Sequence, residues 1–390
     1  MARWRPQPFY EGAIATGVDS TIVEHAVRTA DRVTSVNPDL PPVFTLRHLA
    51  HISDVPYTLL RKYVAREIAE PYSTFKIHKR PLQGRVRYRR IAVPEPALLK
   101  VQRWITHRIL AKVDVHLASR AFSKNDTIVR AVEDHCGCRW LIKIDIRNFF
   151  ESINEVGVFR VFRGLGYQSL VAFELTRLCT RMGGHSYIRQ RPRWNVQSRW
   201  STIAHYQPWN PTGGPRMGHL PQGAPTSPML ANLAVIQIDE EVTAIAKTFG
   251  LIYTRYADDL MLSTSAKKFS RKQAQAAIGQ ITAALGKRGL GANSAKTSVS
   301  PPGSRKIALG LALEGPNPRL PRHFKAKLRE HLYYLENPAI GPVGHARARG
   351  FASVIGLRHH LFGLASFAKQ TERSYGESIT QRLAAIDWPL

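Results

Sequence analysis

The sequence predicts an α+β fold, and three observations carry the expectation. Apolar residues recur at helical spacing in several runs, two pairs of short β-type segments face each other across turn residues, and one segment alternates with the period of a strand. At 390 residues and 44% apolar content, the chain is long enough for two or three packed units.

Residues 46–50 and 55–68, with Ser53 between them, read as two short helices with a polar cap. Residues 72–77 and 87–93 read as strands joined by a turn between Pro81 and Gly84. Leu98, Val101, Ile105 and Ile109 mark one face of a helix over 98–113. In 141–146, Ile142, Ile144 and Ile146 share one strand face, and Leu141, Lys143 and Asp145 share the other. A Pro/Gly-rich loop over 210–228 leads into a helix over 228–246. Strands 251–256 and 260–263 flank Ala257, Asp258 and Asp259 as a hairpin. Further helices are expected over 270–288, closed by Gly289, and over 321–335 and 344–369.

Lysine and arginine number 56 against 28 acids, a net charge of +28 that excludes an ordinary metabolic enzyme as the default and points to a polyanionic partner. No apolar run is long enough to cross a membrane and the start, Met1 to Pro8, is polar, so no membrane role and a cytoplasmic location are expected. Three cysteines cannot make a disulfide framework, and Cys136 and Cys138 beside His135 lack zinc spacing, so buried or surface thiols are expected. Basic residues cluster without acids at Lys76, Lys79, Arg80, Arg85, Arg87, Arg89 and Arg90. They cluster again at Arg189, Arg191, Arg193 and Arg199, where Trp194, Trp200 and Trp209 are interleaved, and a third group runs from Arg319 through Arg322 and Lys325 to Arg329. Cations interleaved with aromatic rings suit phosphates and unpaired bases, and the tryptophans would equally serve as the small core of a folded loop.

The adjacent aspartates between apolar strands are the most informative feature. At about 4 Å, two like charges repel by roughly 4 kcal/mol at an effective dielectric of 20. A divalent cation reverses that sign and takes oxygen ligands, which Asp258, Asp259 and the strand residue Asp145 supply. Three carboxylates in a strongly basic chain fit two-metal phosphoryl transfer.

The segment Tyr253-Thr254-Arg255-Tyr256-Ala257-Asp258-Asp259-Leu260 resembles the catalytic hairpin of reverse transcriptases in its retron-type wording. Lys143 to Ile153 is similar to the family's first carboxylate motif, Leu220-Pro221-Gln222-Gly223-Ala224-Pro225-Thr226-Ser227-Pro228 to its nucleotide-positioning loop, and Asn293 with Ala295-Lys296-Thr297 to its lysine motif. The four stand in the family's order, and the resemblance covers residues 57–361.

The resemblance implies an α+β right-hand polymerase: a helical N-terminal extension over 1–45, fingers over 46–140, palm over 141–310 with an Arg/Trp insert at 181–219, and thumb over 311–390. It implies that Asp145, Asp258 and Asp259 bind two Mg²⁺ ions, with Mn²⁺ as a substitute, and that Lys296 neutralises or protonates the departing pyrophosphate. Lys79 and Arg89 would clamp the triphosphate, Gln222 and Gly223 would shape the nucleotide pocket, and the ring of Phe150 would block a ribose 2′-hydroxyl, making dNTP the substrate. Arg189, Arg191, Arg193, Arg322 and Lys325 would contact nucleic acid. The implied function is copying of a structured non-coding RNA into DNA, in a retron antiphage system with a possible effector protein, primed by an RNA 2′-hydroxyl or a protein hydroxyl. Another defence-associated reverse transcriptase, with protein-primed or untemplated synthesis, and a non-catalytic RNA-binding scaffold are the alternatives. Thr127-Ile128 and His135 match a retron-specific segment in which Ala131 and Val132 replace the usual Asn-Ala, and Ala308-Leu309-Gly310 stands where the retron thumb has Val-Thr-Gly. No maturase, endonuclease or RNase H portion is expected after the thumb.

Overall fold

The hairpin expected near residue 80 is present and longer than its apolar pattern: β1 (Tyr72–Leu82) pairs antiparallel with β2 (Arg85–Pro94). The computed structural model describes residues 4–68, 70–82, 85–124, 126–183 and 217–389. They fall into two units: Met1–Lys124, Ile146–Glu241 and Ala283–Ala292 form one, and Asn125–Asp145, Val242–Thr282 and Asn293–Leu390 the other.

Outside the hairpin, the first unit is helical where described. Helix Ser20–Val36 is capped by Asp19, whose side chain accepts the Thr21 N–H, and buries Val23, Ala30 and Val33. Its seat requires a glycine: Gly166 has φ +90°, and a Cβ there would lie 2.4 Å from the Arg32 carbonyl oxygen. Helix Ser169–Cys179 is buried from Val171 onward. The run over 228–246 is not one helix but two, Ser227–Ala234 and Ile236–Thr248, because Val235 leaves helical geometry at φ −109°, ψ 9°. The apolar spacing continues through the bend, so periodicity alone does not reveal it. Helix 55–68 is likewise shorter, Tyr57–Ala65, stopped by Arg66 at φ +63°.

The second unit is built on an antiparallel sheet in the order β4-β5-β3-β6, with β3 Trp140–Asp145, β4 Ile252–Tyr256, β5 Asp259–Thr264 and β6 Ser298–Ser300. β3 is apolar on both faces rather than on one: Ile142 and Ile144 are buried, and so is Leu141 on the face of Asp145. Leu141 and Met261 join one core with Ala308, Leu311 and the inner faces of helices Arg322–Glu336, Val354–Thr371 and Arg373–Ala384. The single helix expected over 344–369 is broken into Gly341–Ala348 and Val354–Thr371 by Gly350 at φ +70° and by a new cap, Ser353, which accepts the Gly356 N–H.

Within that C-terminal core, His331 and His345 are both buried, and their ring nitrogens Nδ1 and Nε2 lie 2.8 Å apart, so one donates to the other. Burial first, then the neighbouring His345, Arg349, Lys327 and His360, push His331 down to about 4, and burial lowers His345 too. The folded pair is therefore neutral where an unfolded histidine would be protonated. Stability should be full above pH 6.5, fall as pH drops from 6.5 towards 4, and level off below. Denaturant melts at stepped pH check this, and His331→Asn should flatten that part of the curve.

Candidate active site

The sheet register brings the candidate carboxylates together. β3 and β5 pair so that Asp145 lies directly opposite Asp259, and β4 and β5 pair so that Tyr256 lies opposite Asp259. Directly opposed residues of an antiparallel pair share a face, so Asp145 and Asp259 stand on the same side of the sheet. Ala257 and Asp258 are left as the two-residue turn, with Ala257 at φ +55°, a left-handed conformation that costs a non-glycine residue roughly 1–2 kcal/mol.

Asp145 is buried and gripped from one loop. The Asn293 side chain donates to its Oδ1 at 2.9 Å, the Asn293 backbone N–H donates to its carbonyl at 2.7 Å, and Lys296 Nζ is ion-paired with its Oδ2. The loop keeps its shape because the N–H groups of Lys296 and Thr297 both donate back to the Asn293 carbonyl. Burial, then the charges of Asp258 and Asp145, raise Asp259 to about 6, against a smaller pull downward from Lys296 and Lys143. No three His, Cys, Asp or Glu side chains among the described residues form a ready metal cage.

Two buried side chains brace the hairpin. Arg255 is 1% exposed, and its Nη1 donates to the Ala257 carbonyl at 3.1 Å, across the turn that carries Asp258. His135 is wholly buried, with its two ring nitrogens 2.7 Å from Ser263 Oγ on β5 and from Thr254 Oγ1 on β4. One imidazole thus ties both strands of the hairpin, and this residue of the retron-like segment is out of reach of any external RNA. Sequence reading singled out neither brace for this work, because which strands a buried side chain ties together is set by tertiary placement and not by its spacing in a motif. Cys136 is half-buried and Cys138 and Cys179 are buried free thiols.

The candidate nucleotide-binding residues lie in the other unit. Ile77 pairs with Arg89 and Lys79 with Arg87, so positions 79 and 89 are diagonal neighbours on one face of the β1–β2 ladder; the Lys79 side chain is outside the described set. Phe150 is half-buried, with its ring 5.6 Å from that of Phe149 and 6.2 Å from that of Phe122. Gln222 is joined to β2 through its backbone, its carbonyl accepting the Ala92 N–H at 2.8 Å. Gly223, at φ +119°, presses on the same strand: a Cβ would meet the Ala92 carbonyl oxygen and Ile91 Cγ2 at 2.8 Å. Gly223→Ala should part loop from strand at a cost of about 1–3 kcal/mol, read as a rise in KM for nucleotide of about tenfold with kcat less affected.

Arg322 is exposed at the start of its helix, whereas Lys325 is half-buried, ion-paired with Glu372 and set over the Tyr375 ring. That pairing leaves Lys325 a poorer phosphate contact than the exposed Lys327 and Arg329 beside it. Arg189, Arg191 and Arg193, with the tryptophans among them, lie outside the described residues. No described helix is long and apolar enough to cross a membrane.

Comparison with known proteins adds a family and relatives. The family model for reverse transcriptase (RNA-dependent DNA polymerase) matches residues 77–311, more than half of the chain. The chain is 28% identical to the retron Ec86 reverse transcriptase of Escherichia coli over 308 residues, covering 79% of this chain and 83% of that protein. It is 29% identical to the retron Mx162 reverse transcriptase of Myxococcus xanthus, over 78% of this chain and 61% of that protein, so it spans less than two thirds of this relative. It is 28% identical to the retron Mx65 enzyme of the same organism over 347 residues, 88% of this chain and 72% of that protein.

Proposed function

The chain belongs to the reverse transcriptase (RNA-dependent DNA polymerase) family, and from that premise we propose that it is the DNA-synthesising enzyme of a retron, copying a structured non-coding RNA into DNA from dNTPs. The observation that carries the reading is the opposition of Asp145 and Asp259 beside the Asp258 turn, in a sheet formed by the family's own motifs.

In this reading the sheet is the palm, the β1–β2 hairpin belongs to the fingers, and the helices after Pro321 form the thumb. Asp145, Asp258 and Asp259 would hold two divalent ions, and the burial and neighbouring carboxylates that raise Asp259 fit that role. Such ions, Mg²⁺ or Mn²⁺, supply activation of the primer hydroxyl and neutralisation of the leaving pyrophosphate. Asn293 orients the Asp145 carboxylate, and Lys296, its present ion-pair partner, would neutralise the pyrophosphate as it departs. Lys79 and Arg89 would take the triphosphate, Arg bidentately. Gln222 and Gly223 would seat the base and sugar, and the Phe150 ring would exclude a 2′-hydroxyl by its bulk. Arg322 and its exposed basic neighbours would meet the template–primer backbone, joined by Arg189, Arg191 and Arg193.

The test is incorporation of labelled dNTP on a primed RNA template with Mg²⁺. Synthesis that depends on the template sequence supports the reading, and silence on both generic and co-purified RNA overturns it. Phe150→Ala should retain dNTP incorporation and admit ribonucleotides about tenfold or more better than wild type, within the 10–200-fold that steric pocket differences reach. Unchanged sugar discrimination would remove Phe150 from the role.

A further inference from the structure

One cavity of the first unit takes no part in the functions above. It lies among the segment preceding helix Pro6–Ala15, the 38–44 connection and helices Leu46–Ser53 and Pro96–Arg108, with a volume of about 480 Å³. That is within the range of roughly 300–1,000 Å³ typical of ligand sites.

Its wall is aromatic. Trp4, Phe9, Phe44 and His48 form a continuous row, with ring centroids 4.9 Å apart for Trp4–Phe9, 5.9 Å for Phe9–Phe44 and 5.1 Å for Phe44–His48. The last two pairs are stacked, at interplanar angles of 24° and 20°. A row serving only as a small core would be buried, yet all four rings are half-buried, and helix Pro6–Ala15 beside them buries no residue. Aromatic surface is therefore left open to the cavity.

The polar groups are selective. His48 Nδ1 accepts the Phe44 backbone N–H at 3.3 Å, which puts the ring proton on Nε2 as a donor with no partner among the described residues. Burial, with His51 nearby, lowers the His48 pKa and keeps that tautomer neutral. Arg5, Arg108 and Lys112 also line the cavity, all exposed and none ion-paired among the described residues. Asp39 opposes them with one carboxylate, so positive charge prevails. Stacked rings, a neutral donor and unpaired cations together match a planar heterocycle joined to phosphate, the composition of an unpaired nucleotide. An uncharged peptide side chain would leave the cations unanswered, an acidic one would leave the stacked rings without a planar partner, and a paired duplex would keep its bases from the rings.

We propose that this cavity holds an unpaired nucleotide of the RNA, its base against the aromatic row and its phosphates against Arg5, Arg108 and Lys112. The inference rests on the reading of the chain as an RNA-copying enzyme, and its test is separate from that reading. Full-length wild type and the double variant Arg108→Gln, Lys112→Gln are titrated with a labelled single-stranded RNA nonamer and a blunt RNA duplex at several salt concentrations. The double variant should bind single strands at least about tenfold more weakly, with a log–log salt slope shallower by about 1.4, two contacts at roughly 0.7 each. Duplex affinity and synthesis on a generic primed template should stay within about twofold of wild type. Trp4→Leu should lose about tenfold in single-strand affinity with the slope unchanged, since a stacking partner and not a charge is removed.

Unchanged single-strand affinity in both variants would overturn the proposal, as would an equal loss for duplex and single strand, which would mark ordinary surface charge. Competition by micromolar ATP would assign the cavity to a free nucleotide and overturn the RNA assignment. A wild-type protein that synthesises no DNA yet shows the predicted variant pattern would sink the polymerase reading and leave the cavity assignment standing.

Discussion

Asp258→Asn should abolish DNA synthesis while leaving RNA affinity within about twofold of wild type. Asp258 sits in the two-residue turn between Tyr256 and Asp259, and its charge is one of the causes that raise the Asp259 pKa. The amide keeps the shape of the side chain and removes the charge, so the turn has no reason to refold. Metal-borne charge stabilisation in phosphoryl transfer is worth several kcal/mol, which corresponds to a fall in kcat of about 10³-fold or more. Single-turnover incorporation on a primed template measures that fall, and filter binding of the same RNA measures affinity. A second readout separates chemistry from folding: divalent ions should raise the melting temperature of wild type by binding the native state, and do so less in the variant. Activity retained within tenfold would remove Asp258 from the metal set.

The parts of this site legible in the sequence are those whose chemistry forces an unusual local pattern. Two carboxylates at the tip of an apolar hairpin, or an aspartate ending a strand of isoleucines, would each alone read as a solvated turn or an edge charge, and the ordered motifs around them make them legible. The pairing of Asp145 with Asp259 was not legible, because register is a long-range property fixed when β3 enters between β5 and β6. Strand alternation alone sets Asp258 and Asp259 on opposite faces, and only the two-residue turn takes Asp258 out of that rule. The Asn293–Lys296 grip on Asp145 was hidden for the same reason: a motif names the residues, and the fold decides what they hold. Helix ends were misjudged where apolar periodicity runs through a break, as at Val235 and Gly350. The expected Lys325 contact illustrates a further limit, since Glu372, the acid that occupies it, arrives from a different helix boundary.

Glu155→Ala should be among the most destabilising single changes in the protein, at about 3–5 kcal/mol, because it removes the buried carboxylate paired with the buried Arg66 guanidinium. Glu155 is 2% exposed, with Arg66 Nη2 donating to its Oε1 at 2.7 Å and Arg177 Nε 3.6 Å from the same oxygen. Thr180 Oγ1 donates to that oxygen at 3.0 Å, while Arg66 also donates to the Thr180 carbonyl at 2.7 Å. Burial works to raise the Glu155 pKa, but Arg177 and Arg66 outweigh it and hold the carboxyl below its ordinary 4.5. The sign of the pH effect follows: the contribution is complete above pH 4.5 and is lost only as pH falls through the lower folded value, a window more acidic than the histidine one. Glu155→Gln preserves the hydrogen-bonding shape without the charge, so it should cost less than alanine and abolish this low-pH component. The network also seats the candidate nucleotide loop: the Glu155 N–H donates to the Gly218 carbonyl, Arg181 and His219 exchange backbone hydrogen bonds, and the Leu220 N–H donates to the Ile153 carbonyl, two residues before Gln222. Where the glutamine variant remains folded, KM for dNTP should therefore rise more than kcat falls. Urea melts of both variants together with steady-state kinetics of the glutamine form decide the matter. A loss under 1 kcal/mol for alanine would mean that water reaches the arginines, and an unchanged KM would cut the link between this buried charge cluster and the nucleotide loop.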